Sequence, residues 1–180
     1  MTDTSGFRVI ARKTVTKVGF LNITLATIET PDHSQVERIV IEHPGAVAVV
    51  PRIGDDVILV AQYRAAVDAV VLEIPAGKLD VPGEDPSEAA VRELSEETGY
   101  VAQGLRHLTD LFTTVGFCNE KITIFLASDP TPGNAAPIGA EEESAEIIVM
   151  PWVDALDAVA NGTITDAKTI AGILIAEMVS

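Results

Sequence analysis

The stretch from Pro75 to Tyr100 restricts what this chain can fold into more than any other. Its first part, Pro75-Ala76-Gly77-Lys78-Leu79-Asp80-Val81-Pro82-Gly83, puts two prolines and two glycines into nine residues and predicts a loop, because neither residue type suits the inside of a regular element. A helix is predicted directly after it, over about 86–98. Asp85 stands as N-cap, Pro86 takes the first helical position, Glu88 lies three residues past the cap and Gly99 supplies the stop. At about 100° per residue, with Ala90 at zero, Val91, Leu94 and Thr98 fall between roughly 40° and 100°, whereas Glu97, Glu93 and Glu96 fall at about −20°, −60° and −120°. An apolar stripe and a carboxylate stripe run side by side. Glu93 and Glu97 are one turn apart, where Cβ atoms lie about 5–6 Å from each other and like charges destabilise a helix unless something neutralises them. A divalent cation would do so, and oxygen ligands without a His or Cys cluster favour Mg²⁺ or Mn²⁺ over zinc. A solvated acidic face accounts equally for the pair taken alone, so the flanking residues decide.

Around this segment the chain reads as sheet first and helices last. Strands are predicted within 7–30, at 36–42, 46–50, 57–63 and 70–74, with a turn at Ile53-Gly54-Asp55-Asp56, and again at 105–113, 121–127 and 146–150. Residues 130–139 read as a Pro-rich surface loop. Two closing helices are expected at about 153–160 and 166–178, the second with Ala167, Ile170, Ala171 and Leu174 on one face. At 180 residues the chain suits one domain of ordinary size or one domain with a small appendage, and 47% hydrophobic against 22% charged residues excludes a disordered or fibrous chain. Lys and Arg number 12 against 27 Asp and Glu, a net charge of −15 that repels a polyanion over most of the surface and argues against nucleic acid as a partner. No apolar run approaches the roughly 20 residues that span a bilayer. No secretory signal pattern opens the chain, and the single Cys118 cannot form an internal disulfide, so a protein of the reducing cytoplasm is expected. Cys118, His33, His43 and His107 show no catalytic or ligand spacing, and Trp152 reads as packing.

Written out, Gly77-Lys78-Leu79-Asp80-Val81-Pro82-Gly83-Glu84, the seven residues Asp85 to Val91, and Arg92-Glu93-Leu94-Ser95-Glu96-Glu97-Thr98-Gly99-Tyr100 resemble the Nudix box, G-x5-E-x7-R-E-U-x-E-E-x-G-U. Six residues rather than five separate Gly77 from Glu84, and Tyr100 stands where an aliphatic residue is usual. An insertion in a Gly/Pro loop leaves the helical ligands in register, and a tyrosine still fills an apolar slot. His43-Pro44-Gly45-Ala46, Gln62-Tyr63-Arg64, Leu72-Glu73-Ile74-Pro75-Ala76-Gly77, Gly116-Phe117-Cys118-Asn119-Glu120 and Asp166-Ala167-Lys168-Thr169 extend the likeness to the ADP-ribose pyrophosphatase branch of that family, from which Val115 departs by replacing a usual proline.

That resemblance implies an α/β fold, an α/β/α sandwich around a mixed sheet with an N-terminal β-strand region. It implies residues 1–42 as a β region through which two subunits pair into a homodimer and residues 43–180 as the hydrolase domain. The implied activity is Mg²⁺-dependent cleavage of ADP-ribose between its phosphates, giving AMP and ribose 5-phosphate. Glu93 and Glu97 would be metal ligands together with the Ala76 carbonyl, with Glu96 a further ligand or support and Arg92 holding the carboxylates in place. Glu143, or Glu142 beside it, would be the loop carboxylate that acts as catalytic base or extra ligand. Arg38, Arg64 and Lys78 would approach phosphate or ribose groups, and Glu73 and Glu120 would contact the nucleotide or terminal ribose. A fork-shaped donor suits a diphosphate, which favours the arginines. Another nucleoside diphosphate sugar, an oxidised nucleotide, or a ligand sensor without turnover are the competing readings; the presence of Arg92, Glu93, Glu96 and Glu97 together speaks against the last.

Overall fold

A computed structural model describes residues 6–133 and 145–179. The chain divides into two compact units, one comprising Met1–Gly45 with Phe112–Lys121 and the other Ala46–Leu111 with Ile122–Ser180. The sequence division at 42/43 assigned Phe112–Lys121 to the larger domain; its contacts group it with the smaller unit.

In the smaller unit, β1 (Arg8–Val18), β2 (Leu21–Glu29) and β3 (Gln35–Glu42) form an antiparallel sheet in that order. Gly19, at φ 57°, sits in the tight turn between β1 and β2, a backbone conformation that favours glycine. The 112–121 segment is fastened to the end of β3, where Ile41 N–H donates to the Phe117 carbonyl at 2.7 Å and Asn119 N–H to the Ile41 carbonyl at 3.1 Å. Every residue of β1 is exposed, Val9, Ile10, Val15 and Val18 among them.

The larger unit is built on a mixed sheet. Strands β4 (Ala46–Ile53), β5 (Asp56–Arg64), β9 (Leu105–Phe112), β10 (Lys121–Ser128) and β12 (Glu146–Pro151) lie in the order β12-β5-β4-β10-β9, β10 running parallel to β4 and β12 antiparallel to β5. Strand β6 (Ala69–Glu73) adds to β5, and β7 (Ala76–Lys78) adds to β4. Because strand side chains alternate between faces, the unbroken apolar run of β4 feeds two cores. Ala48 and Val50 point to the side covered by α2 (Trp152–Asn161) and α3 (Ala167–Val179), against Ile173 and Ala176; Val47 and Val49 point to the side covered by α1 (Pro86–Thr98), against Ala90 and Leu94. Helices on both faces of a mixed sheet make the expected α/β/α sandwich. No helix among the described residues is long and apolar enough to cross a membrane.

Three local expectations need correction. The Pro75–Gly83 segment is not all loop: Ala76–Lys78 pairs with Ala46–Ala48, because the edge of β4 there is open and takes a short strand in spite of its glycine. The 130–139 loop begins with β11 (Thr131–Pro132), which pairs with β8 (Tyr100–Val101). Helix α3 buries Thr169, Gly172, Ile173 and Ala176, leaving Leu174 exposed. Ile170 and Ala171 do pack against that core, and what apolar counting passes over is the share of the inward face made by Thr169 and Gly172: a Cβ at Gly172 would meet Val50 Cγ2 at 2.9 Å, so glycine is what lets the helix lie this close to the sheet.

Candidate active site

Helix α1 begins as its sequence foretells. The Asp85 side chain accepts from Ser87 N–H at 2.8 Å, the Glu88 carboxylate accepts from Asp85 N–H at 3.4 Å, and Gly99 closes the helix at φ 72°. Ala89, Ala90, Leu94 and Thr98 are buried against the sheet, which fixes the helix's rotation and turns Arg92, Glu93, Glu96 and Glu97 toward one flank.

Arg92 organises that flank. Its guanidinium donates to both oxygens of Glu84 at 2.9 and 3.0 Å, to Glu93 at 2.8 Å and to Glu96 at 2.9 Å. The Glu84 bonds above all, then the charge of Glu93, hold the arginine's proton more tightly than usual. Of the two acids one helical turn from Arg92, Glu96 pairs with it, while Glu88 is used in the cap instead. Gly77 serves the neighbouring carboxylate: any Cβ there would fall on the Glu93 carboxyl group, so only glycine lets β7 pass so close.

Glu97 is treated differently. Its carboxylate accepts from Ala76 N–H at 3.0 Å and from the Gln62 amide at 3.2 Å. Burial, with the like charge of Glu93 adding to it, pushes the Glu97 carboxyl up to about 7 in spite of those two donors. Ala76 adjoins Glu97 through its N–H, whereas the sequence reading assigns its carbonyl to the metal.

A second cluster lies at the ends of β5 and β6. Arg64 grips Glu73 in a two-pronged bond of 2.7 and 2.8 Å, Lys168 ion-pairs with the same carboxylate, and Asp166 pairs with Lys168 at 3.0 Å. Burial raises the Glu73 carboxyl, but the Arg64 hydrogen bond and the Lys168 charge outweigh it and hold it below its ordinary value. Strand alternation puts Arg64 on the same face as Gln62, and the charge of Glu97 is felt at its guanidinium. Arg64 and Glu73 therefore come together, but on each other.

The remaining expected residues are more scattered. Lys78 ends β7 and is exposed. Arg38 and Glu120 belong to the smaller unit, where Arg38 is exposed and donates to the Glu37 carbonyl at 2.8 Å, while Glu120 accepts from Thr113 Oγ1 at 2.6 Å and stands 3.4 Å from His43 Nε2. Glu142 and Glu143 lie outside the described residues. Gln62, Asp166 and Lys168 were missed as site-forming residues. A buried glutamine and an arginine two apart on an apolar strand were a usable signal for the first; Lys168 lies 95 residues from its partner Glu73 and gave none.

Among the described residues no three His, Cys, Asp or Glu side chains are grouped to hold a metal ion unaided. Arg92 accounts for this by drawing one oxygen of Glu93 and one of Glu96 to itself. The donor set nevertheless fits a hard divalent cation: its side-chain atoms are all carboxylate oxygen, and among the described residues the half-buried Glu97 has no cationic hydrogen-bond partner. A cleft of about 500 Å³ beside α1, lined by Ser87, Glu88, Val91, Arg92 and Leu105, shares only Arg92 with the carboxylates.

The fold and the loop-helix carboxylate arrangement together define a member of the NUDIX domain family, whose model matches residues 42–172; the chain belongs to the Nudix hydrolases. It is 34% identical over 163 residues to the ADP-ribose pyrophosphatase of Bacillus subtilis, covering 90% of this chain and 88% of that one. It is 35% identical over 134 residues to the GDP-mannose pyrophosphatase of Cronobacter sakazakii, covering 69% and 68% of the two chains. A solved structure described as an ADP compounds hydrolase superposes with a TM-score of 0.82 over 96% of this chain and 92% of that one, at 24% identity, a likeness of fold.

Proposed function

We propose that this Nudix hydrolase cleaves the diphosphate bond of ADP-ribose, with Mg²⁺ or in its place Mn²⁺, yielding AMP and ribose 5-phosphate. The observation that carries the reading is the carboxylate set of α1, held by Arg92 against a glycine-bearing strand and completed by the half-buried Glu97, which among the described residues accepts hydrogen bonds only from neutral groups. Glu93, Glu96 and Glu97, with the Ala76 carbonyl, would hold the cation. When bound, it neutralises the phosphates and lowers the pKa of a coordinated water.

The chain's own residues do the rest. Arg92 keeps Glu93 and Glu96 from swinging apart. Glu143, or Glu142 as the alternative, accepts the proton of the attacking water. Arg64 uses Nε and Nη2 on Glu73 and so presents its remaining amino group to a phosphate, which makes Glu73 the clamp on Arg64 in place of a direct ribose contact. Lys78 is a further proposed substrate contact. In a chain with 12 cations against 27 acids, a diphosphate draws on the few cationic donors, Arg64 and Lys78 among them. The protein is proposed to act in the cytoplasm as a homodimer joined through residues 1–42, a role that suits the exposed valines and isoleucine of β1.

The GDP-mannose pyrophosphatase relative favours a second reading, in which another nucleoside diphosphate sugar is the substrate. A panel of ADP-ribose, GDP-mannose and an oxidised nucleoside triphosphate, with products resolved by chromatography, separates the two. ADP-ribose is expected to be turned over fastest, and Glu97→Gln to cost at least a thousandfold. Faster turnover of GDP-mannose would select the second reading, and a Glu97→Gln enzyme with more than a tenth of normal rate would overturn both.

A further inference from the structure

Glu93 and Glu97 stand one helical turn apart yet are held by opposite kinds of partner. Arg92 donates to Glu93 from a cation that also serves Glu84 and Glu96. Glu97 accepts from neutral groups, the Ala76 amide on one oxygen at 3.0 Å and the Gln62 carboxamide on the other at 3.2 Å, and among the described residues it makes no hydrogen bond or ion pair with a lysine or arginine. Gln62 is only 2% exposed, on a strand face whose preceding members, Ile58 and Val60, are fully buried and apolar. A leucine would satisfy that environment, and a buried amide is costly there unless it is hydrogen-bonded. Its amide nitrogen is spent on Glu97.

We propose that Gln62 is a positioning residue for the cation site, fixing the Glu97 carboxylate through a neutral donor and so without placing a hydrogen-bonded cation on it in the metal's stead. A lysine or arginine at this position would supply a hydrogen bond but would cancel the charge and repel the ion. The neutral carboxamide does the first without the second. One donor on each oxygen also stops rotation about the last side-chain torsion, and each oxygen keeps lone-pair capacity for a further bond. The inference rests on the reading of Glu97 as a cation ligand.

Calorimetric titration of the full chain with MnCl₂ tests it directly. Gln62→Met keeps the length and loses the donor, and is expected to bind Mn²⁺ roughly 10- to 100-fold more weakly than the wild type, the range usual for groups that orient metal ligands. Glu97→Gln should weaken binding at least as much, and the double variant Gln62→Met/Glu97→Gln no further than Glu97→Gln alone, because Gln62 acts through Glu97. Turnover lost in Gln62→Met should return as Mg²⁺ is raised, which a mispacked enzyme would not show. Gln62→Leu, with far-UV circular dichroism as the check on folding, takes the place of a methionine variant that does not fold. Wild-type affinity in the folded Gln62 variants, with Glu97→Gln still impaired, overturns the proposal and leaves the site reading intact. Wild-type affinity in Glu97→Gln itself overturns the site reading and the proposal with it.

Discussion

Replacing Glu73 by glutamine should destabilise the larger unit out of proportion to the change of one atom. The Glu73 side chain is 3% exposed and that of Lys168 11%, so the ammonium and the Arg64 guanidinium now sharing the carboxylate would face a neutral amide that lacks the balancing charge and turns an NH₂ donor toward one of them. Breaking a buried pair by removing one partner costs about 3–5 kcal/mol. Arg64 is 37% exposed and can be rehydrated, which favours the lower end, about 3 kcal/mol. For a chain of this size each kcal/mol moves the melting temperature by about 2–4 °C, so Glu73→Gln should melt roughly 6–12 °C below wild type at pH 7. Glu73→Leu/Lys168→Met, which removes the pair together, should recover most of that loss. The pH dependence carries the same sign. A carboxyl held below the ordinary 4.5 stabilises the fold above that value and loses its contribution as pH falls through its lowered one, so wild type should lose stability more steeply below about pH 4.5 than the double variant does. Scanning calorimetry between pH 3 and 8 reads both effects. A Glu73→Gln protein melting within 2 °C of wild type, or a double variant as unstable as the sum of the singles, would refute the reasoning.

Three further outcomes are expected. Gly77→Ala places a methyl group on the Glu93 carboxylate, so Glu93 must leave its place; overpacking of this kind costs about 1–3 kcal/mol, and cation affinity by Mn²⁺ titration should fall at least tenfold. Because burial pushes the Glu97 carboxyl up to about 7, cation binding should tighten as pH rises from 6 to 8 and release close to one proton at the lower end, measurable by titration in buffers of different ionisation enthalpy. The same shift makes the cation-free protein gain stability as pH falls from about 7 toward 4.5, opposite in sign to Glu73; binding independent of pH would contradict it.

The helix that carries the site could be read almost residue by residue, since Asp85, Pro86, Glu88 and Gly99 act through local backbone geometry, and Arg92 to Glu97 follow from helical periodicity. The strands of the central sheet announced themselves for the same reason, through runs of β-branched residues. What escaped was set by distant neighbours. Strand β7 exists because β4 offers it an open edge, which no local rule over Ala76–Lys78 contains. The inward face of α3 depends on how closely Gly172 approaches Val50. Arg64 and Glu73 were singled out, but their grip runs along the ladder, since β6 sets Glu73 opposite Val60 and Ala69 opposite Arg64, and it is shared with Lys168, far along the chain.

The edge of β4 is divided between two partners: Ala46–Ala48 takes β7, Arg52–Ile53 takes β5, and between them Val49 N–H reaches the Pro75 carbonyl at 2.9 Å. The sheet is forked there, and Glu97 spans the fork, touching Ala76 on one prong and Gln62 on the other. A side chain thus does the stitching that ladder bonds do elsewhere. Whatever engages that carboxylate tugs on a main-chain amide as well, so the Ala76 proton, followed by deuterium exchange or its nuclear resonance, becomes a built-in gauge of how the fork is loaded.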